Sequence, residues 1–385
     1  MKEKQFTLSR CKMTRSTLAE RLDELTHPGA LFDSEQDGVL RCHACAHRCR
    51  LKPGQRGVCQ VRFNRAGELH VPWGYVAAAQ TDPIEKKPFA HFLPGSDALT
   101  FGMLGCNFHC DFCQNWVSSQ ALREPASERS LHYIDQITPQ QLVDFALRSG
   151  AQIIASSYNE PLITSEWAAE IFRLGKEKGL KCVYVSNGFA TPEVLQYLRP
   201  YLDGFKVDLK SMRDETYRSL GGRLQPVLDS IRLAWELGLW VEAVTLVVPG
   251  LNDSPDELWE AARFLYSVSP GIPWHVTAFH PDYKLTDRRG TSADSLLQAA
   301  EIAQEANLHY VYAGNLPGRV GSLENTFCPG CRTALVLRAG YTIQDYRITA
   351  DGTCPQCGQK IAGVWTDRPE SVRLHGWGFP RRLEW

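Results

Sequence analysis

The chain has 385 residues, 43% of them hydrophobic and 22% charged, with a formal net charge of −1 at pH 7. That length suits one large domain or two to three smaller ones, and the ordinary composition excludes wholesale disorder. The near-neutral charge gives no general attraction to nucleic acid or to a membrane surface. No apolar run reaches the roughly 18–20 residues of a membrane helix. Met1 to Asp23 lacks the apolar centre of a secretory signal, so a cytoplasmic protein is expected.

In chain order, residues 1–40 read as a helical arm, on the spacing of Leu18, Leu22 and Leu25, broken by His27-Pro28-Gly29. Residues 41–95 are dense in Cys, Pro, Gly and Arg with little periodicity, and predict a small metal-pinned module wrapped on something larger. From 96 to 320 strands alternate with helices. Strands are predicted at 99–104, 151–156, 181–186, 204–209, 239–248, 274–279 and 309–313, and helices at 139–149, 165–178, 192–198, 225–237, 255–268 and 292–306. Thr138 before Pro139 reads as a helix cap, and Gly179 and Gly238 as helix stops. Repeated βα units of this length imply a parallel sheet with helices outside it, and reactive groups gathered at the carboxyl ends of the strands. Residues 325–366 form a second Cys-rich module. Residues 367–385 form a tail holding Trp377, Phe379 and Trp385, which either packs on the barrel or meets a partner.

The cysteines carry most of the information. Of 13, four lie in Cys42-x2-Cys45-x3-Cys49-x9-Cys59, three in Cys106-x3-Cys110-x2-Cys113, and four in Cys328-x2-Cys331 and Cys354-x2-Cys357; Cys11 and Cys182 are left over. The long chain, the odd count and the short spacings favour metal thiolates over disulfides.

The central set follows an apolar strand. Three thiolates there suit three irons of a [4Fe–4S] cubane and leave the fourth iron open to a chelating amine and carboxylate; a zinc site with a distant fourth ligand is the alternative. The spacing, with Phe112 just before Cys113, resembles the radical S-adenosylmethionine (SAM) superfamily. That resemblance implies a partial (β/α)6 TIM-type barrel of the α/β class, and a cluster whose electron breaks SAM into a 5′-deoxyadenosyl radical. It also implies SAM-binding roles for further residues. Glu160, supported by Asn159 in Tyr158-Asn159-Glu160-Pro161, stands where the family binds the SAM amino group. Ser186 and Asn187 would meet the ribose or carboxylate. Asp208 and Lys210 resemble the Asp-x-Lys of glycyl-radical-enzyme activases, with a buried structural pair as the alternative. Val248 would back the adenine, and His280 matches a histidine late in the activase barrel.

Across nearly the whole chain, Cys42-His-Ala-Cys45, Lys52-Pro-Gly-Gln-Arg-Gly57-Val-Cys59, Asp82-Pro-Ile-Glu-Lys-Lys-Pro88, His91-Phe-Leu-Pro-Gly95 and the terminal Cys pairs resemble the AmmeMemoRadiSam system radical SAM enzymes, relatives of the activases of pyruvate formate-lyase. The resemblance implies Memo-like and AMMECR-like partners, a reductant such as flavodoxin or ferredoxin, no membrane, and a substrate it does not name. Asp82 to Pro88 reads as an ion-paired turn rather than as part of the site.

The two outer sets differ in clarity. Cys328, Cys331, Cys354 and Cys357 flank a segment suited to a β-hairpin and form a zinc-ribbon pattern, with rubredoxin-like iron or a cluster as alternatives. At Cys42, Cys45, Cys49 and Cys59 zinc is expected, an auxiliary [4Fe–4S] cluster is the alternative, and His43 and His47 are spare ligands; Arg41, Arg48, Arg50, Lys52 and Arg56 would offset the thiolate charge. Three functions follow: a radical SAM enzyme acting on a substrate other than a glycyl-radical enzyme, an activase of such an enzyme, or a zinc-binding scaffold on a barrel that has lost catalysis.

Overall fold

The computed structural model describes residues 17–124, 134–376, 378–379 and 381–382. Its centre is a nine-stranded sheet built from β1 (Ala78–Pro83), β2 (Asp97–Gly102), β3 (Ile153–Ser156), β4 (Lys181–Ser186), β5 (Gly204–Asp208), β6 (Trp240–Val247), β7 (Trp274–Ala278), β8 (Val311–Gly314) and β9 (Arg381–Arg382). Strands β2 to β8 run parallel in sequence order, while β1 pairs antiparallel with β2 and β9 antiparallel with β1. Among the described residues no pairing joins β8 to the far edge, so the sheet is an open barrel. Each connection from β2 to β8 carries one main helix, in turn α1 (Pro139–Arg148), α2 (Ser165–Glu177), α3 (Pro192–Leu198), α4 (Leu224–Glu236), α5 (Pro255–Val268) and α6 (Ala293–Glu305), with short helices at Trp116–Ser119 and Asp214–Ser219 beside α1 and α4. This is the predicted set of six βα units, followed by a seventh parallel strand.

Local chemistry explains the match. Thr138 and Gln141 cap each other's backbone N–H at the start of α1, with Pro139 at its first position. Gly179 and Gly238 follow α2 and α4 in the left-handed region, at φ +79° and +75°, where a side chain would be strained. All four residues of β3 and all five of β7 are buried, as near-continuous apolar strands between two covered faces should be.

The amino-terminal region differs from the predicted helical arm. Its helix spans only Leu18–Glu24, and Thr26–Pro28 then pairs with Glu68–Pro72 while Phe32–Ser34 pairs with Leu40–Cys42. Gly29 permits this, because a β-carbon there would stand 2.6 Å from Val71 Cγ1; only the bare backbone fits while its N–H bonds Leu69 O at 2.7 Å. The metal module also reaches further than expected: its last strand, β1, belongs to the central sheet.

The carboxyl-terminal module is a three-stranded antiparallel sheet of Thr326–Phe327, Ala334–Ala339 and Thr342–Tyr346. It covers the open side of the barrel. His91 there bonds Tyr312 Oη and Ala362 O, both at 2.6 Å, and Arg338 donates to Ala90 O at 2.7 Å. The tail packs on the barrel through β9 and through Arg373 and Arg381, which both pair with Asp97. Trp377 and Trp385 lie outside the described residues, and Phe379 is exposed. Among the described residues no helix is long and apolar enough to cross a membrane.

Candidate active site and metal centres

The loop after β2 carries Cys106, Cys110 and Cys113, and it is held from several sides. Gly105 N–H bonds Ser118 O at 3.0 Å, Phe108 N–H points at Cys106 Sγ at 3.3 Å, and Cys113 Sγ lies 3.2 Å from Ser119 Oγ. Gln120 and Arg123 both donate to Phe108 O, at 3.0 and 2.7 Å. Phe112 and Cys110 are buried; Cys106 and Cys113 are partly open. Burial raises the Cys106 thiol and pushes Cys110 up to about 12, with nearby Lys210 opposing the second shift. Such thiols become good ligands only when a cation takes over the charge.

The next strand ends close around this loop. Glu160, after β3, is buried and pushed up to about 7 by burial, against the pull of the Asn187 N–H at 2.8 Å, the Ser186 hydroxyl at 2.7 Å and the Leu162 N–H at 3.1 Å. Asn159 Oδ1 accepts from Met103 N–H at 3.0 Å and so ties the Glu160 loop to the end of β2. Asn187 Nδ2 donates to Asn107 Oδ1 at 2.7 Å and lies 4.0 Å from Cys106 Sγ. Ser186, Asn187, Glu160 and the cluster loop are therefore one constellation.

Asp208, at the end of β5, is flanked by two lysines. Lys210 Nζ is 3.1 Å away, and Lys206 Nζ bonds the other carboxylate oxygen. Burial alone would raise the Asp208 carboxyl, but the two ammonium groups outweigh it and hold it at about 2. This cation–carboxylate–cation row faces Cys110, whose thiol shifts in response to both Lys210 and Asp208.

Two predicted residues stand apart. Val248 is buried just past β6, and its N–H is bound by Asn252 Oδ1 at 2.7 Å. His280 has an exposed side chain, 3.4 Å from Asp282, on the rim of a cavity of about 670 Å³ that Gln114 also lines; neither touches the Glu160 group.

Sequence reasoning missed Asn107, Lys206 and Tyr158. Asn107 sits inside the cluster loop, and its Nδ2 is buried without a hydrogen-bond partner, a free donor beside the sulfurs of the kind a bound group would satisfy. Tyr158, at φ +67°, links the Asp82–Pro88 segment to the site. Asp82 pairs with Lys86 at 2.9 Å and Lys87 at 2.6 Å, and the Tyr158 hydroxyl donates to it at 2.8 Å. The segment is thus the expected ion-paired turn, and it is also anchored to the residue preceding Asn159-Glu160. Burial lowers Lys87 to about 8, with Asp82 opposing.

A second cavity, of about 390 Å³, lies on the barrel's open side between Glu85 to Ala90, the β7 and β8 residues His275, Thr277, Tyr312 and Gly314, and the hairpin around Arg338. Asn315 borders both this cavity and the one at Gln114.

The outer cysteine sets differ. In the ribbon, Cys328 Sγ is 3.6 Å from Cys357 Sγ and Cys331 Sγ 3.6 Å from Cys354 Sγ, and all four sulfurs lie within 4.8 Å of one another. A single tetrahedral ion with metal–sulfur bonds of about 2.3 Å needs sulfurs about 3.8 Å apart, so the four thiolates fit one zinc or iron. Among the described residues no other three Cys, His, Asp or Glu ligand atoms gather so tightly. Cys42, Cys45, Cys49 and Cys59 do not gather in this way. The spare histidines are committed elsewhere: His43 to Asp33 and Arg48 at 2.8 and 2.9 Å, His47 to Asn107 O at 2.9 Å. Cys182 is buried in β4, and Cys11 lies outside the described residues.

An open parallel α/β barrel with three cysteines after its first parallel strand, and polar groups from the next three strand ends turned toward them, defines a radical SAM core. The Radical SAM superfamily model matches residues 101–265. An uncharacterized protein of Methanocaldococcus jannaschii is 36% identical over 86% of this chain and 97% of its own length. This chain belongs to the radical SAM superfamily and is an enzyme. More distant relatives are a putative glycyl-radical enzyme activating enzyme of the same organism, 24% identical over 54% of this chain and 77% of its own, and the isethionate sulfite-lyase activating enzyme of Oleidesulfovibrio alaskensis, 25% identical over 48% and 61%. Among solved structures, a domain of pyruvate-formate lyase-activating enzyme from Bacteroides vulgatus aligns over 42% of this chain and 98% of its own, with 19% identity and a TM-score of 0.38.

Proposed function

We propose that this enzyme cleaves SAM reductively at a [4Fe–4S] cluster on Cys106, Cys110 and Cys113, and uses the 5′-deoxyadenosyl radical to take a hydrogen atom from a substrate other than a glycyl-radical enzyme. The observation that carries this is the gathering of Glu160, Ser186, Asn187 and the Asp208 row around the cluster loop. The cluster supplies one electron, and SAM supplies the radical. The chain's own groups do the rest. Buried Glu160, already collecting N–H and O–H donors, suits the SAM ammonium. Asn187 and Ser186 fix that carboxylate, and the Asp208 row sets the charge beside Cys110. The ribbon would hold zinc and close the barrel's side. Memo-like and AMMECR-like proteins as partners, a flavodoxin or ferredoxin as donor, and the cytoplasm as the reducing compartment complete the reading.

The test is product analysis. Reconstituted anaerobically with iron and sulfide, reduced and given SAM, the protein should release 5′-deoxyadenosine, while a variant with Cys106, Cys110 and Cys113 all changed to Ala should not. No product from a cluster-loaded wild type, with the two partner proteins added, would overturn the reading. A second reading, activation of a glycyl-radical enzyme, is favoured by the two relatives named as activating enzymes. It predicts a glycyl doublet in the EPR spectrum when the protein is mixed with such an enzyme under reducing conditions.

A further inference from the structure

We propose that Cys42, Cys45, Cys49 and Cys59 hold a second [4Fe–4S] cluster, one cysteine on each iron, that passes electrons to the cluster at Cys106, Cys110 and Cys113.

The four cysteines lie together. Cys42 N–H bonds Cys49 O at 2.9 Å, Arg48 N–H bonds Cys45 O at 3.0 Å, and the place where a β-carbon on Gly57 would stand is 3.5 Å from Cys49 Sγ and 3.7 Å from Cys59 Sγ. No three of their sulfurs gather within 4.8 Å of one another. The ribbon gives the internal scale, because the same fold draws four sulfurs within 4.8 Å where a single ion is to be held. A cubane needs the wider set, since its irons stand at separate corners and hold their thiolates roughly 6 Å apart. The Cys106 loop, which the family dedicates to a cubane, is open in the same sense: its three sulfurs are not among those that gather within 4.8 Å.

The surroundings suit a buried anionic cluster. Cys42, Cys45 and Cys59 are buried. Val58 N–H points at Cys49 Sγ at 3.5 Å. Arg62 is 2% exposed, and its carbonyl oxygen accepts from Gly57 N–H at 2.8 Å. Two of its nitrogens bind Glu166, at 2.6 and 2.8 Å, while its Nε is buried without a partner. Four cysteines leave no iron open, which separates this set from the three-cysteine loop and leaves electron transfer, rather than substrate binding, as its use.

Its position fits that use. Gly105, the residue before Cys106, lies against the module: a β-carbon there would be 3.1 Å from Cys59 O and 3.0 Å from Val61 Cγ1. Arg123 bonds Val58 O at 2.7 Å and Cys106 O at 2.9 Å with one nitrogen, and His47 bonds Asn107 O at 2.9 Å. Residues flanking the two sets are thus in direct contact. The cluster held by Cys42, Cys45, Cys49 and Cys59 would take one electron from a donor such as dithionite or reduced flavodoxin and pass it to the one held by Cys106, Cys110 and Cys113, which would deliver it to the sulfonium–C5′ bond of SAM, breaking SAM to methionine and the 5′-deoxyadenosyl radical. The electron's destination rests on the proposed function; the second cluster does not.

The experiment counts metals. Reconstituted wild type should hold about eight irons and eight acid-labile sulfides per chain, and the Cys106→Ala/Cys110→Ala/Cys113→Ala variant about four of each, with the EPR signal of a reduced cubane. About four sulfides in wild type and none in the variant, with a second zinc bound, would overturn the assignment, and the wild-type count stands even if the variant misfolds. In the fully reduced wild type the two signals should broaden each other through spin coupling; two unbroadened, independent signals would overturn the relay. Eight irons without 5′-deoxyadenosine would sink the SAM reading and leave the second cluster standing.

Discussion

The ribbon and the amino-terminal module each present four cysteines, and both include a Cys-x2-Cys turn, yet they arrange their sulfurs differently. In the ribbon the two turns close on each other across a β-hairpin, with Gly358 in the left-handed region at φ +73°, and the sulfurs meet at 3.6 Å. In the amino-terminal module one turn, one distant cysteine and one more after Gly57 face a shared space without meeting, and the module is bonded to the cluster loop. The ribbon is bonded instead to the far wall of the barrel, through His91, Tyr312 and Arg338. Similar ligands thus serve different ends. The ribbon's sulfurs fix a wall, and the amino-terminal sulfurs stand beside the chemistry.

If that contrast holds, damage to the two sets should separate cleanly into stability and turnover. The largest effect should come from Cys354→Ala. Losing one of four ligands to a structural ion should cost about 4 kcal/mol of folding free energy. It should show as a lower melting temperature with one zinc fewer, while a surviving folded fraction keeps its iron. Iron lost in step with zinc would erase the distinction.

The ribbon seam should also carry an acid-sensitive signature. His91 is buried and lowered to about 4 by burial, against an ordinary value near 6.5. The unfolded chain therefore binds this proton more readily than the folded one. The stabilisation is complete above about pH 6.5 and is lost as pH falls toward 4, by about 3 kcal/mol in all. Denaturant melts across that range should show a steep acid limb in wild type that is flatter in His91→Asn. Parallel limbs would mean that the seam does not depend on a neutral His91.

At the other set, Cys59→Ala should leave the melting temperature nearly unchanged in the ribbon and barrel but slow 5′-deoxyadenosine formation about 100-fold with reduced flavodoxin, roughly 3 kcal/mol of barrier. Dithionite, a small donor able to reach the central cluster, should recover part of the rate. An equal loss with both donors would point to a structural role.

How much of this was legible in the sequence depended on periodicity. The six βα units were readable because buried parallel strands are nearly continuous apolar runs and the helices between them are amphipathic and capped by residues such as Thr138 and Gly179. β1 was not, because Ala78-Ala-Gln-Thr-Asp-Pro83 has neither an apolar run nor alternation, and it forms by pairing with β2. At the site, Asn159, Glu160, Ser186 and Asn187 could be named because strand ends place them; what Asn159 and Asn187 hold, Met103 and Asn107, is fixed only in three dimensions. The link from Asp82 to Tyr158 spans 76 positions, beyond any local pattern. The metal content of the outer sets was undecidable for the same reason: cysteine spacing along the chain gives the number of ligands, while the backbone decides how far apart their sulfurs stand.

The smallest effects test the seam between the module and the cluster loop, through two glycines that border it. Gly105 has φ +100°, and a β-carbon there would press on Cys59 O and Val61 Cγ1 at 3.1 and 3.0 Å. Gly105→Ala combines backbone strain with that overlap and should cost about 2 kcal/mol, pushing the module off the cluster loop and weakening the spin coupling between clusters. Gly57 is not in the left-handed region, and a methyl group there would sit at ordinary contact distance, 3.5 Å from both Arg62 O and Cys49 Sγ and 3.7 Å from Cys59 Sγ. Gly57→Ala should cost less than about 1 kcal/mol and leave the iron and sulfide content intact, because a cubane keeps Cys49 and Cys59 apart and leaves the methyl room beside them. Were one small ion to draw those two sulfurs together, the module's backbone would have to move, and the same substitution would meet a changed wall. Iron counts and EPR line shapes on the two glycine variants therefore probe the same contrast in its gentlest form, with every cysteine still in place.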